Sequence, residues 1–149
     1  MKNIVCFGEV LWDVFPTHKK IGGAPLNVAL RLQSFGNNVS MITRIGIDKK
    51  GNKIKTYIQE HGINTDNLQI DDSFKTGKVK VMLNEKGSAS YNIMYPRAWD
   101  NIQLTESAME TTELADAFVF GSLIARDDVS RHTLYELLKM ASYKIFDVN

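Results

Sequence analysis

Apolar and polar positions fall into short, regular blocks along most of the chain. Asn3 to Gly8 contains Ile4-Val5-Cys6-Phe7, an apolar run closed by glycine, which is the pattern of a buried strand. Pro25 to Phe35 places Leu26, Ala29, Leu30 and Leu32 on a helical stripe, and Gly36 supplies the left-handed stop. Val39 to Ile45 predicts a second strand. Gly51 to His61 repeats the helical theme, with Ile54, Tyr57 and Ile58 on one face and Gly62 as terminator. This strand–helix alternation predicts an α/β fold, a Rossmann-like parallel sheet flanked by helices.

The middle of the chain changes period. Gly77 to Asn84 begins by alternating polar and apolar residues, Glu85-Lys86-Gly87 is a turn, and Ala89 to Tyr95 alternates again. That predicts a β-hairpin over about 75–96, exposed on one face, as a small antiparallel β lid on the α/β body. Beyond it, Thr105-Glu106 starts a short helix and Ala117 to Gly121 is a buried strand. Asp127-Asp128 opens a further helix, with Leu134, Leu137, Leu138 and Ala141 as its apolar face. Lys144 to Asn149 reads as one more strand.

Composition narrows the function classes. With 149 residues, 44% hydrophobic and 23% charged, the chain is long and apolar enough for one globular domain with a real core, residues 1–149. A net charge of +1 gives no reason to expect nucleic acid or an acidic membrane as partner. No apolar run approaches the ~20 residues of a membrane span. Met1 to Gly8 lacks a long apolar core and a cleavage site, so a cytoplasmic location is expected. The single cysteine, Cys6, allows no disulfide framework and reads as a small buried hydrophobe. His18, His61 and His132 are too scattered to form a metal site, and no metal ligands are expected.

The most informative stretch is Gly22-Gly23-Ala24-Pro25-Leu26-Asn27. Two adjacent glycines let backbone come close to a ligand, Pro25 pre-sets the first helical turn, and Asn27 can turn its amide back toward the same place. A tight turn before an ordinary capped helix accounts for these residues equally well. Glu9-Val10-Leu11-Trp12-Asp13 follows directly on the first strand, in the region beyond the carboxyl ends of strands where open parallel sheets bind ligands. The Asp13 carboxylate can accept two hydrogen bonds from a polyol, or be a turn aspartate.

Together these pieces resemble the ribokinase-like (PfkB) family of sugar kinases, most closely its bacterial fructokinases. Phe7 to Asp13 is similar to the family's opening strand and sugar-contacting loop. Gly22-Gly23 through Asn27, then Ala29 to Gly36, matches its G-G-x-x-x-N-x-A signature with a later glycine. Arg44 to Gly51 matches the following G-x-D-x-x-G turn, itself read as structural, with Lys49-Lys50 and Lys19-Lys20 as solvated surface. Tyr95-Pro96-Arg97-Ala98-Trp99-Asp100 resembles the segment whose arginine approaches the sugar; Phe120 to Leu123 and Phe146 to Asn149 also fit. The resemblance implies phosphoryl transfer from Mg2+-ATP to a sugar hydroxyl, fructose favoured. It implies that Asp13, Gly22, Gly23, Asn27, Arg97 and Asn149 contact the sugar. It further implies that the hairpin closes as a lid and pairs two subunits into a homodimer.

One part of the family pattern is absent. These kinases carry a G-A-G-D motif whose amides form an anion hole and whose aspartate is the general base. None of the ten glycines here lies in such a motif. The expectation is therefore the sugar-binding half of a kinase, with the C-terminal half missing. The base and the ATP and Mg2+ sites would lie beyond Asn149, and the chain alone would be inactive. The alternative is a non-catalytic sugar-binding or lid-dimerisation module from a truncated kinase gene.

Overall fold

A computed structural model describes residues 1–148. The main sheet has five strands: β1 (Asn3–Phe7), β4 (Asn38–Gly46), β5 (Leu68–Asp71), β8 (Ala117–Gly121) and β9 (Lys144–Asp147). Their order is β5-β4-β1-β8-β9, and every neighbouring pair is parallel. Because β1 is central, both its faces are covered. Ile4 and Cys6 join one core with Leu26, Ile54 and Ile58, whereas Val5 and Phe7 join the other with Phe118, Leu134 and Leu137. That two-sided burial explains the unbroken apolar run in the sequence.

The helices start where their caps dictate. Helix α1 (Ala24–Ser34) follows Gly23 and carries proline in its first turn. Helix α2 (Lys49–Glu60) begins two residues before Gly51, because Asp48 caps it by accepting the Gly51 N–H at 2.8 Å. Thr105 caps α3 (Glu106–Glu113) and Asp127 caps α4 (Asp128–Met140) in the same way.

The second sheet departs from the expected lid. The hairpin is present as β6 (Gly77–Leu83) and β7 (Ala89–Ile93), joined antiparallel. Two more strands extend it, β2 (Leu11–Val14) and β3 (Lys19–Gly22), in the order β3-β2-β6-β7. The β2–β6 pairing is parallel, so the sheet is mixed rather than purely antiparallel. The segment read as a loop after β1 is therefore a strand. Each added strand has only four residues, too short for a period to show. Among the described residues, no helix is long and apolar enough to cross a membrane.

Candidate functional site

A cavity of about 260 Å³ opens where the carboxyl ends of β1, β8 and β9 face the second sheet. Glu9, just beyond β1, forms its floor together with Ser122 after β8 and Asp147 at the end of β9. Asp13 of β2, with Val79, Tyr91 and Ile93 of β6 and β7, forms the opposite wall. Gly23 and Asn27 close the side at the start of α1. The arrangement joins carboxylates and an amide to an apolar wall, which suits a ligand with hydroxyls on one side and C–H groups on another.

The glycine pair is shaped by this site. A Cβ on Gly22 would stand 2.5 Å from Asp13 Oδ2, so the carboxylate keeps its place only because that side chain is missing. Gly23 has a φ of 116°, and a Cβ there would overlap the carbonyl oxygen of Glu9. Asn27 donates its backbone N–H to the Gly23 carbonyl at 2.9 Å, which fixes the first turn and leaves the amide exposed at the cavity.

Burial sets the electrostatics. Glu9 is 3% exposed, and among the described residues its Oε2 has no hydrogen-bond partner. Desolvation pushes its pKa up to about 7, against hydrogen bonds from the backbone of Glu9 and Ala24 and the field of Arg126, with Asp147 adding to the rise. Partial burial also raises Asp13, and Lys20 opposes the rise.

Of the residues predicted for the sugar, Asp13, Gly23 and Asn27 line one cavity, and Gly22 packs beside Asp13. Arg97 does not join them. It lines a second cavity, with Asp48 and Lys78, while its backbone N–H donates to Asp100 Oδ2 at 2.7 Å. The arginine that engages the Tyr95–Asp100 segment from across the fold is Arg126. It pairs with Asp100 at 2.7 Å, donates to the Met94 carbonyl at 2.8 Å and stacks on Trp99. Asn149 lies outside the described residues. Glu9, Tyr91, Ser122 and Asp147 were not singled out as site residues; for Glu9 and Ser122 the available signal was their position just past a strand end.

The chain resembles known proteins over most of its length. A putative sugar kinase of Pyrococcus horikoshii is 32% identical over 143 residues, covering 93% of this chain and 46% of that protein. The probable chloroplastic fructokinase-6 of Arabidopsis thaliana is 28% identical, covering 80% of this chain and 35% of its own length. The crystal structure of the Pyrococcus horikoshii sugar kinase superposes with a TM-score of 0.91 at 28% identity, over 99% of this chain and 53% of that one. A fructokinase from Xylella fastidiosa with bound ATP gives 0.87 at 26% identity, over 99% and 48%. The chain thus spans about half the length of these relatives or less. The family model of pfkB carbohydrate kinases matches residues 1–145, and the chain belongs to that family.

Proposed function

We propose that the chain supplies the sugar-binding part of a carbohydrate kinase that transfers the γ-phosphate of ATP to a hydroxyl of fructose. The observation that carries this reading is the convergence of Asp13, Gly23 and Asn27 on one cavity beyond the strand ends. In this reading Asp13 accepts hydrogen bonds from two sugar hydroxyls and Asn27 adds a third contact. Gly22 and Gly23 keep the approach open, and Val79, Tyr91 and Ile93 cover the carbon face of the ring. The second sheet acts as the lid that keeps water from competing with the sugar as acceptor.

Among the described residues, no group of three or more His, Cys, Asp or Glu side chains is placed to hold a metal ion. On the family resemblance we assign the nucleotide, its Mg2+ and the general base to sequence beyond Asn149 and derive no step through them. Two features support that assignment: the absent G-A-G-D motif and the roughly twofold greater length of the relatives. A homodimer through the second sheet is part of the same reading, supported by the large apolar side chains of Met82 and Leu83 exposed at the end of β6. Light scattering at rising concentration tests that pairing.

Fructose titration of the chain by calorimetry tests the sugar site. Saturable binding is expected, weakened about tenfold or more by Asp13→Asn, since a hydrogen bond to a charged acceptor contributes about 1.5–3 kcal/mol. Absence of saturable binding, or an Asp13→Asn variant that binds equally well, removes the proposal. Reading the coding DNA past the Asn149 codon tests the rest: an open frame with G-A-G-D about 100 residues on supports a kinase. A stop codon leaves the non-catalytic sugar-binding module.

A further inference from the structure

Strand β6 serves two cavities. Val79 lines the one described above; Lys78, on the other face of the pleat, lines a second cavity of about 320 Å³. Its remaining walls come from the start of α2 (Asp48, Lys49, Lys50), from Lys75 and Thr76 before β6, and from Arg97. Among the described residues that line it, five side chains are cations and Asp48 is the only carboxylate.

That carboxylate is already committed. It accepts from the Gly51 N–H at 2.8 Å, the Thr76 N–H at 3.0 Å and the Thr76 hydroxyl at 2.8 Å. Among the described residues, none of the five cations forms an ion pair. Freely solvated lysines would carry no message, but Lys50, Lys78 and Arg97 are each partly buried. Among the described residues Arg97 Nε is buried without a hydrogen-bond partner, and its Nη2 donates to the Met94 sulfur at 3.2 Å. Burial, with repulsion from Lys50, Lys80 and Arg97, holds the Lys78 ammonium below the usual lysine range. Like charges gathered in a partly desolvated recess, one of them with an unused N–H, are relieved by a multiply charged anion.

We propose that this cavity binds the phosphate group of a small phosphorylated molecule, through Lys49, Lys50, Lys75, Lys78 and Arg97. The cavity is larger than one phosphate, which leaves room for the organic part of such a ligand. Nothing in this inference depends on the sugar site.

The Trp12 indole N–H donates to the Lys50 carbonyl at 3.2 Å and so reports on the cavity wall. The test follows that indole in the NMR spectrum of the ¹⁵N-labelled chain during titration with inorganic pyrophosphate, and with sodium chloride at matched ionic strength. A saturable shift with pyrophosphate and none with chloride is expected. The double variant Lys75→Gln/Lys78→Gln should weaken binding about tenfold or more, because it removes two charge-assisted contacts. The control Lys53→Gln/Lys55→Gln, on exposed positions of α2, should bind within about twofold of the parent. Should the first variant not fold, Lys49→Gln at an exposed position provides the same comparison. A non-saturating shift, an equal shift with chloride, or equal weakening by the control variant overturns the proposal.

Discussion

Replacing Glu9 by Gln isolates the cost of a charge in the floor of the candidate site. The carboxyl is 3% exposed, and burial raises its pKa from 4.5 to about 7. Below 4.5 both the folded and unfolded states hold the proton, so the shift contributes nothing. Between 4.5 and about 7 the unfolded chain has lost it while the folded chain keeps it, so stability falls as pH rises through this window. Above 7 both states are ionised, and the full penalty remains. At about 1.4 kcal/mol per pH unit, the penalty reaches ~3 kcal/mol. Glutamine retains an oxygen for the backbone hydrogen bonds and never ionises. Urea denaturation of both proteins at about pH 4 and about pH 8 should show the stability of Glu9→Gln relative to the parent rising by ~3 kcal/mol across the range. Groups that titrate in both proteins cancel in this difference. A difference that stays flat with pH would refute the reasoning, because Glu9 would then be ionising without a burial cost.

The other expectations concern the frame around the cavity. Gly22→Ala pushes a methyl against Asp13 Oδ2, 2.5 Å away, so fructose affinity in calorimetry should fall about tenfold while the melting temperature moves little. Gly23→Ala forces a side chain into a φ of 116° and onto the Glu9 carbonyl, and should cost about 2 kcal/mol or more in urea denaturation. Arg126→Met leaves Asp100, 2% exposed, without its ion pair and should destabilise by about 3 kcal/mol, a loss that Asp100→Asn in the same chain partly reverses. Desolvation alone would raise the pKa of Asp71, but hydrogen bonds from the Phe74 backbone, Asn101, Ser73 and Arg44 outweigh it and hold the value at about 2. The resulting ~2 kcal/mol is present above pH 3.8 and is lost as pH falls toward 2, so Asp71→Asn should flatten the acid limb of the stability profile.

Central strands were easy to read because burial on both faces leaves no polar side chain in Ile4 to Phe7 of β1 or in β8 to blur the run. The second sheet was half hidden. Its hairpin alternates over enough residues to be seen, whereas Leu11–Val14 and Lys19–Gly22 are four residues each, and β3 begins with two exposed lysines. Asp13 was legible from its place just past the first strand and Asn27 from the glycine pair before it, and both line the same cavity. Glu9 could not be graded in the same way, since its perturbation comes from desolvation, which no local pattern records. Arg97 and Arg126 show the limit most clearly. The family resemblance of Tyr95–Asp100 tied Arg97 to the sugar, whereas Arg97 lines the second cavity and Arg126 reaches Asp100 from 26 residues away.

The cavity owes its shape to residues that never line it. At one end Thr76, immediately before β6, is held by Asp48, which also caps α2, and the Gly46 N–H donates to the Thr76 hydroxyl at 3.0 Å. At the other end Arg126 grips the Met94 carbonyl just after β7, and Asp100 holds both Arg126 and the Arg97 N–H. Each clamp combines a carboxylate with backbone groups, so it fixes position and orientation together. The two fasten the start and the end of the hairpin to the α/β body, the first through Gly46 of β4 and the second through the turns that carry Asp100 and Arg126, and between them the hairpin tip extends exposed. Motion of the second sheet is therefore expected to bend the β6–β7 tip rather than shift its base. Asp13 sits on β2, which pairs with the anchored start of β6, so at the proposed sugar site Asp13 is expected to stay fixed while the tip moves.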